Sequence, residues 1–92
     1  MGMANTIRLH ATRSSESVCL LRWTFQKDDK SITCQIEGNQ AAASYDVSVV
    51  PHWDVASAVV EEAETPFGAF QRHAEISMRL REAGWSVARR SN

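Results

Sequence analysis

The clearest hydrophobic pattern lies in residues 17 to 38, where apolar and polar side chains alternate on both sides of the charged segment KDDK. Alternate side chains of a strand point to opposite faces of a sheet. A turn centred between Asp28 and Asp29 therefore predicts an antiparallel hairpin with one apolar and one polar face. The apolar pairs that this register brings opposite each other are Phe25 with Ile32, Trp23 with Cys34, and Leu21 with Ile36.

The same register places the two cysteines apart. Cys34 lies opposite Trp23, whereas Cys19 lies opposite Gly38, an offset of about 13 Å along the strands. A disulfide needs Cα atoms within about 7 Å of each other. No C-x-x-C or zinc-type spacing occurs. The sequence therefore predicts two free thiols that point into the core.

Two further segments continue the meander. SYDVSVVP alternates again, with Tyr45 expected near Ile36, Val47 near Cys34, and Pro51 at the end of the strand. Residues 54–64 are ambiguous: Asp54 could cap a short helix, or the segment could form a strand centred on two valines, 59 and 60. We favour the strand, because a meander needs an edge. TIRLHATR could add another edge strand, with Ile7, Leu9 and Ala11 on one side.

A helix follows between Thr65, which is an N-cap candidate, and Gly84, which follows the last turn, with Pro66 at the first helical position. One arc of about 100° is solvated and charged. The remaining arc of about 220° is mostly apolar, although a helix that covers one sheet needs an apolar stripe of only about 100°. One apolar sector contains Phe67, Phe70, Ala74 and Met78, and the other contains Ala69, Ile76, Leu80 and Ala83. His73, Ser77 and Arg81 lie between the sectors.

The wide apolar arc predicts that the helix is covered on two sides. The sheet covers one sector, and a second copy of the chain is the economical cover for the other. The alternative is that the N-terminal segment or the tail WSVARRSN folds over the helix. The candidate interface residues are Phe67, Phe70, Ile76, Met78 and Trp85; the sequence does not decide whether Met78 or Ile76 faces outwards.

Together these elements predict an α+β fold, an antiparallel meander of three to five strands with one long C-terminal helix on its apolar face. At 92 residues the chain is expected to be a single domain, with an ordered core over about residues 17–85.

Composition narrows the function further. Ten Lys and Arg against eleven Asp and Glu give a net charge of −1, which argues against a dominant nucleic-acid footprint and leaves little charge repulsion to oppose association. No apolar run approaches the roughly 20 residues of a membrane span, and the N-terminal residues lack the apolar core of a signal peptide. We therefore expect a cytoplasmic homodimer that does not bind membranes.

Candidate chemistry is sparse. His10, His52 and His73 are scattered, and His52 with Asp54 would supply only two metal ligands. Glu61, Glu62 and Glu64 form an acidic patch of the kind that is usually solvated. The sequence predicts no catalytic, metal or cofactor site, and hence a non-enzymatic interaction module.

The alternative function is weak binding of single-stranded nucleic acid on the polar sheet face, with Arg22, Lys27 and Lys30 as contacts. Such binders stack bases on sheet aromatics above a basic groove. Here the outward positions contain no aromatic residue, and Glu37 and Asp46 add negative charge.

The segments RWTFQKDDKSITCQIEG, YDVSVV and FQRHAEISMRLREAGW, which span Arg22 to Trp85, resemble a group of short uncharacterised bacterial proteins in which a strand meander precedes a helix ending in Gly-Trp. The resemblance implies the order of the elements and no assigned activity. The topology is also similar in outline to transcriptional coactivators that dimerise through a helix and bind single-stranded DNA on the sheet. Their basic sheet surface has no counterpart in this sequence.

Overall fold

A computed structural model describes residues 17–91. It contains five strands and one α-helix, namely β1 (Ser17–Lys27), β2 (Lys30–Asn39), β3 (Ser44–Pro51), β4 (Val59–Ala63), α1 (Pro66–Glu82) and β5 (Ser86–Ser91). The strands form one antiparallel sheet in the order β4-β3-β2-β1-β5. The predicted α+β meander is confirmed. The proposed N-terminal strand around Ile7, Leu9 and Ala11 lies outside the described residues.

The hairpin of β1 and β2 has the predicted register over most of its length. Phe25 pairs with Ile32, Trp23 with Cys34, and Leu21 with Ile36. Phe25, Cys34 and Ile36 are fully buried and, with Val47 and Ala69, form the centre of the core. Apolar alternation therefore fixed the register, because a slip of one residue would have turned every apolar side chain to the other face.

The predicted pairing partner of Cys19, near the start of β1, is wrong. The register shifts between Cys19 and Leu21, so Leu20 is an extra residue in β1 and Cys19 pairs with Glu37 instead of Gly38. A bulge of this kind lets both leucines pack against the core. As a consequence Cys19 is only half-buried and lies opposite a residue of the polar face, whereas Cys34 lies in the core as expected.

β3 keeps its predicted faces, but its register differs by two residues. Val47 pairs with Ile36, and Tyr45 pairs with Gly38. The reason is the position of the turn: Gly38 and Asn39 remain in β2, and the Asn39 side chain accepts a hydrogen bond from the Ala42 N–H at 3.2 Å. Gly38 lies under the Tyr45 ring, where a Cβ atom would be 3.5 Å from the ring edge.

The ambiguous segment forms the favoured strand, β4, after a short 3₁₀ turn at Val55–Ser57. Glu61 of β4 accepts two hydrogen bonds from the Arg72 guanidinium, at 2.8 and 3.2 Å. Arg72 also reaches Glu75 at 3.2 Å, which is one of the i,i+3 pairs of the solvated face. Arg72 thus ties α1 to the edge of the sheet.

Both ends of α1 are capped as the sequence indicates. The Thr65 hydroxyl accepts a hydrogen bond from the Gly68 N–H at 3.0 Å, and Pro66 is the first helical residue. At the other end the Trp85 N–H bonds to the Leu80 carbonyl, and Gly84 has a φ of 101°. This is a Schellman-type ending, for which glycine is favoured because it tolerates a positive φ.

The fifth strand is not predicted by the sequence. Gly84 reverses the chain, and β5 then runs antiparallel to β1, with Val87 opposite Phe25. The tail after Trp85 therefore does not fold over the helix, and the ordered fold extends to Ser91. SVARRS is short and carries two arginines, so its alternation is too weak to distinguish a strand from a polar tail.

We predict that the two thiols differ sharply in reactivity. Burial raises the pKa of the Cys34 thiol to about 12, so on the order of one Cys34 in ten thousand is ionised at pH 8. Half-buried Cys19 is therefore expected to react first with a maleimide in the native protein. Mass spectrometry should then find one label per native chain and two per denatured, non-reduced chain. In Cys19→Ser the native label should disappear, and equal labelling rates for both thiols would contradict the burial of Cys34.

Candidate functional site

The face of α1 that rests on the sheet is small and partly polar. Its buried residues are Ala69, His73 and Ser77, which are spaced one turn apart. Ile76 and Leu80 are half-buried beside this stripe and pack against the core. The sequence places these polar residues between two apolar sectors, but it does not predict that they are the ones that face the sheet.

Within residues 17–91 nothing covers the sector that contains Phe67, and the N-terminal segment suggested as an alternative cover lies outside the described residues. Phe67, Phe70 and Met78 expose 74%, 43% and 56% of their surface, respectively. Ala74 lies between them and is also exposed. Of the two residues that the sequence could not distinguish, Met78 therefore faces outwards and Ile76 faces the core.

A groove of about 510 Å³ separates α1 from β1. It is lined by Leu21 and Trp23 of β1 and by Phe70, His73, Ala74, Ser77, Met78, Arg81 and Glu82 of α1. Its volume lies within the roughly 300–1,000 Å³ of small-molecule sites, and its walls are mainly apolar with a few polar groups, as such sites usually are. We refer to it below as the β1–α1 groove.

His73 is a buried, neutral group in the wall of this groove. Its Nε2 lies 3.2 Å from the Cys34 carbonyl oxygen, so Nε2 carries the proton and donates. The Ser77 hydroxyl lies 3.5 Å from Nδ1, which accepts. Burial lowers the pKa of His73, and the hydrogen bond to Cys34 opposes that shift only in part. The imidazole also meets the Trp23 ring edge-on, with ring centres 5.2 Å apart.

Two arginines lie near the groove, Arg81 in its lining and Arg90 beside it. The Arg90 guanidinium lies over the Trp23 ring, 4.7 Å from its centre. Arg81 is exposed at the mouth, one turn beyond Ser77, and within residues 17–91 it has no hydrogen-bond or ion-pair partner. Glu82 is the single acidic side chain in the lining. The groove therefore has an uncharged wall at His73, one cation and one anion in its lining, and a second cation beside it over Trp23.

Trp85 lies elsewhere than the sequence analysis expected. Trp85 was a candidate interface residue, but it is half-buried. It stacks on Trp53 of the β3–β4 connection, with ring centres 6.0 Å apart. Lys30 covers Trp53 in turn, with Nζ 5.1 Å from the ring centre. Trp85 thus anchors the end of the helix within its own chain, and it does not line the groove.

The residues suggested for nucleic-acid contact do not form one surface. Arg22 lies on the polar face and donates to Gln35 at 3.1 Å. Lys27 instead donates to the Ala83 carbonyl at the end of α1, at 2.7 Å. Lys30 lies against Trp53. Lys27 and Lys30 therefore contact the end of α1 and the β3–β4 connection, respectively, and do not lie with Arg22.

Three of the other candidate groups, Glu61, His52 and Asp54, are held by neighbours, and His10 lies outside the described residues. Arg72 lowers the pKa of the Glu61 carboxyl by hydrogen bonding to it. His52 lies 2.7 Å from the Thr33 hydroxyl, and Asp54 accepts a hydrogen bond from Ser57. In the described part of the chain, no three His, Cys, Asp or Glu side chains are grouped so as to hold a metal ion. The only helix between positions 17 and 91 is too short and too polar to span a bilayer.

Among residues 17–91, the β1–α1 groove is therefore the concave surface best suited to hold a small molecule. Sequence reasoning missed it, although the spacing of His73, Ser77 and Arg81 at four-residue intervals was a usable signal. Polar groups in a line between two apolar sectors indicate a wall where water or a ligand meets the helix.

No family model, no curated protein and no solved structure matches this chain. The resemblance to short bacterial proteins therefore stays a prediction.

We predict that His73 makes stability depend on pH. Its pKa is lower in the folded chain than in the unfolded one, so the unfolded state binds more protons. The contribution of His73 to stability should be fully present above about pH 6.5. Below that pH the free energy of unfolding should fall, by at most about 1.4 kcal/mol per pH unit. Urea denaturation at several pH values between 8 and 5.5 measures this slope.

The matched control is His73→Phe, which keeps an aromatic ring but cannot titrate. It should be less stable at pH 8, because the hydrogen bond to Cys34 is lost, yet its stability should fall less between pH 7 and 5.5. A slope that is unchanged in His73→Phe would show that another group titrates.

We also predict weak binding of single-stranded DNA. The basic residues are dispersed and the polar face lacks aromatic side chains, so affinity should not exceed the tens-of-micromolar range of non-specific contacts at physiological salt. Fluorescence anisotropy with labelled oligonucleotides measures it. Sub-micromolar binding that weakens steeply with salt and in Arg22→Ala would establish the alternative function.

Proposed function

We propose that this protein is a small non-enzymatic interaction module that associates with a second copy of itself through the uncovered sector of α1. The observation that carries the proposal is the exposure of Phe67, Phe70 and Met78 on one side of a single helix. Isolated apolar residues on a surface are ordinary, but a contiguous patch of large ones beside an apolar groove is typical of an interaction surface.

The spacing of the patch suits a two-fold contact. Phe70 and Met78 are equally far from Ala74, four residues on either side. An axis through Ala74 would bring Phe70 of one copy onto Met78 of the other, because a two-fold interface repeats each contact. Ala74 is small enough to let the two helices approach, and methionine sulfur packs favourably against aromatic rings.

Charge supports the same arrangement. The net charge of −1 leaves little repulsion between copies. Glu75 and Arg79 of the solvated arc lie outside the patch, and Arg81 borders it, one turn beyond Met78 on the same side of α1. Pairing of two copies therefore buries mainly apolar surface, and Arg81 is the charged side chain that has to remain solvated or find a partner at the edge of the contact.

We predict that Met78→Glu and Phe67→Glu each split the dimer and leave the fold intact, because both side chains are exposed in a single chain. In a two-fold contact each substitution acts twice, so the dissociation constant should rise by tenfold or more. Ile76→Glu should instead unfold the chain, because Ile76 packs on the core. Sedimentation velocity measures association, and circular dichroism with thermal melting reports the fold.

Gln26→Glu is the matched control, since it adds the same charge at an exposed position of the polar sheet face, away from α1. It should sediment like the wild type. A wild-type chain that remains a monomer at about 100 µM, a free energy of association weaker than about 5.5 kcal/mol, would refute self-association.

A further inference from the structure

We propose that the β1–α1 groove binds a small amphiphilic monocarboxylate, with its apolar chain between Trp23 and Phe70 and its carboxylate at Arg81. This goes beyond self-association and does not depend on it. The groove shares Phe70, Ala74 and Met78 with the patch of the proposed dimer, whereas Phe67 belongs to the patch alone.

The apolar half of the site is the space between the helix and β1. Leu21 and Trp23 form one wall, and Phe70, Ala74 and Met78 form the other. The polar groups in the depth of the groove are satisfied already, since His73 donates to the Cys34 carbonyl and Ser77 bonds to His73. A ligand with polar groups along its length would find few partners there, so the occupant has an unbroken apolar body.

The charged half of the site is at the mouth. Arg81 is exposed there without a partner among the described residues, and its guanidinium can bind a carboxylate through two parallel hydrogen bonds. Arg90, on the opposite side over Trp23, adds a second positive charge. Glu82 would repel a second negative charge on the ligand, which favours a monoanion.

The carboxylate of the ligand has to remain at the mouth of the groove. His73 is neutral and buried, and Trp23 already has Arg90 over its ring face. Neither residue could compensate a carboxylate deep in the groove, and burial of an unpaired charge is costly. A cationic amphiphile is disfavoured because two arginines, Arg81 in the lining and Arg90 over Trp23, outnumber Glu82. The geometry thus selects a ligand with one anionic end.

The test is a titration of the full-length ¹⁵N-labelled protein with decanoate, decanol or decylamine, each below its micellar concentration. The three tryptophan indole N–H signals report position, because Trp23 lines the groove whereas Trp53 and Trp85 stack on each other outside its lining. We expect decanoate to shift Trp23 and leave the other two unchanged. Decanoate should bind more tightly than decanol, and decanol more tightly than decylamine.

Arg81→Gln should weaken decanoate binding by roughly tenfold, the usual size for loss of a charge-assisted hydrogen bond, and leave decanol binding within about twofold. Arg79→Gln is the matched control: it removes an arginine from the same helix at an exposed position outside the groove, and it should leave both affinities unchanged.

Three results would overturn the proposal. One is decanoate binding weaker than about 1 mM, no better than a non-specific contact. Another is equal loss of decanoate binding in Arg81→Gln and Arg79→Gln, which would mean that only overall charge matters. The third is displacement of a second copy by decanoate in sedimentation, which would mean that the groove seats the partner chain. Phe67→Glu separates the two proposals, because it should abolish self-association and retain decanoate binding.

Discussion

The structure depends on a mismatch of width between one helix and five strands. Neighbouring strands lie about 4.8 Å apart, so the axes of the two edge strands are separated by about 19 Å, whereas a helix with its side chains is about 10–12 Å wide. α1 lies mainly over β2 and β3 and leans on β4 through the Arg72–Glu61 pair. The inner face of β1 is therefore only partly covered. The β1–α1 groove is the space that remains where Leu21 and Trp23 extend beyond the helix.

The helix can lie close to the sheet because its contact stripe is made of small and medium residues. Ala69 and Ser77 bring little volume, and His73 spans the remaining distance to the backbone of β2. No buried side-chain nitrogen or oxygen in residues 17–91 lacks a hydrogen-bond partner, so this polar stripe carries no desolvation penalty from unpaired groups. A stripe of this kind leaves the large apolar side chains of the helix to its flanks. On one flank Ile76 and Leu80 pack against the core, whereas on the other flank Phe70 and Met78 are exposed.

The proposed self-association and the proposed ligand binding both use this exposed flank of α1, for different physical reasons. Self-association follows from the outward surfaces of Phe67, Phe70 and Met78, where removal of apolar area from water is the driving force. Ligand binding follows from the inward surfaces of the same region, where a concave space is bordered by the Arg81 guanidinium, which has no partner within residues 17–91. A second copy placed over Ala74 would roof the groove and exclude water from it, which strengthens any hydrogen bond between Arg81 and an anion.

The sequence by itself determined the features that depend on local patterns. Alternation fixed the pairing of Phe25 with Ile32 and of Trp23 with Cys34, and capping residues fixed the start and end of α1, because both signals are encoded within a few residues of where they act. Only the tertiary structure decided the bulge at Leu20, the two-residue change in the register of β3, the pairing of β5 with β1, and the stacking of Trp85 on Trp53. Each of these depends on residues far apart in the chain competing for the same space. The choice between the helix sectors is of the same kind: both are apolar, and the sheet selected the face with the smaller side chains because it allows the closer approach.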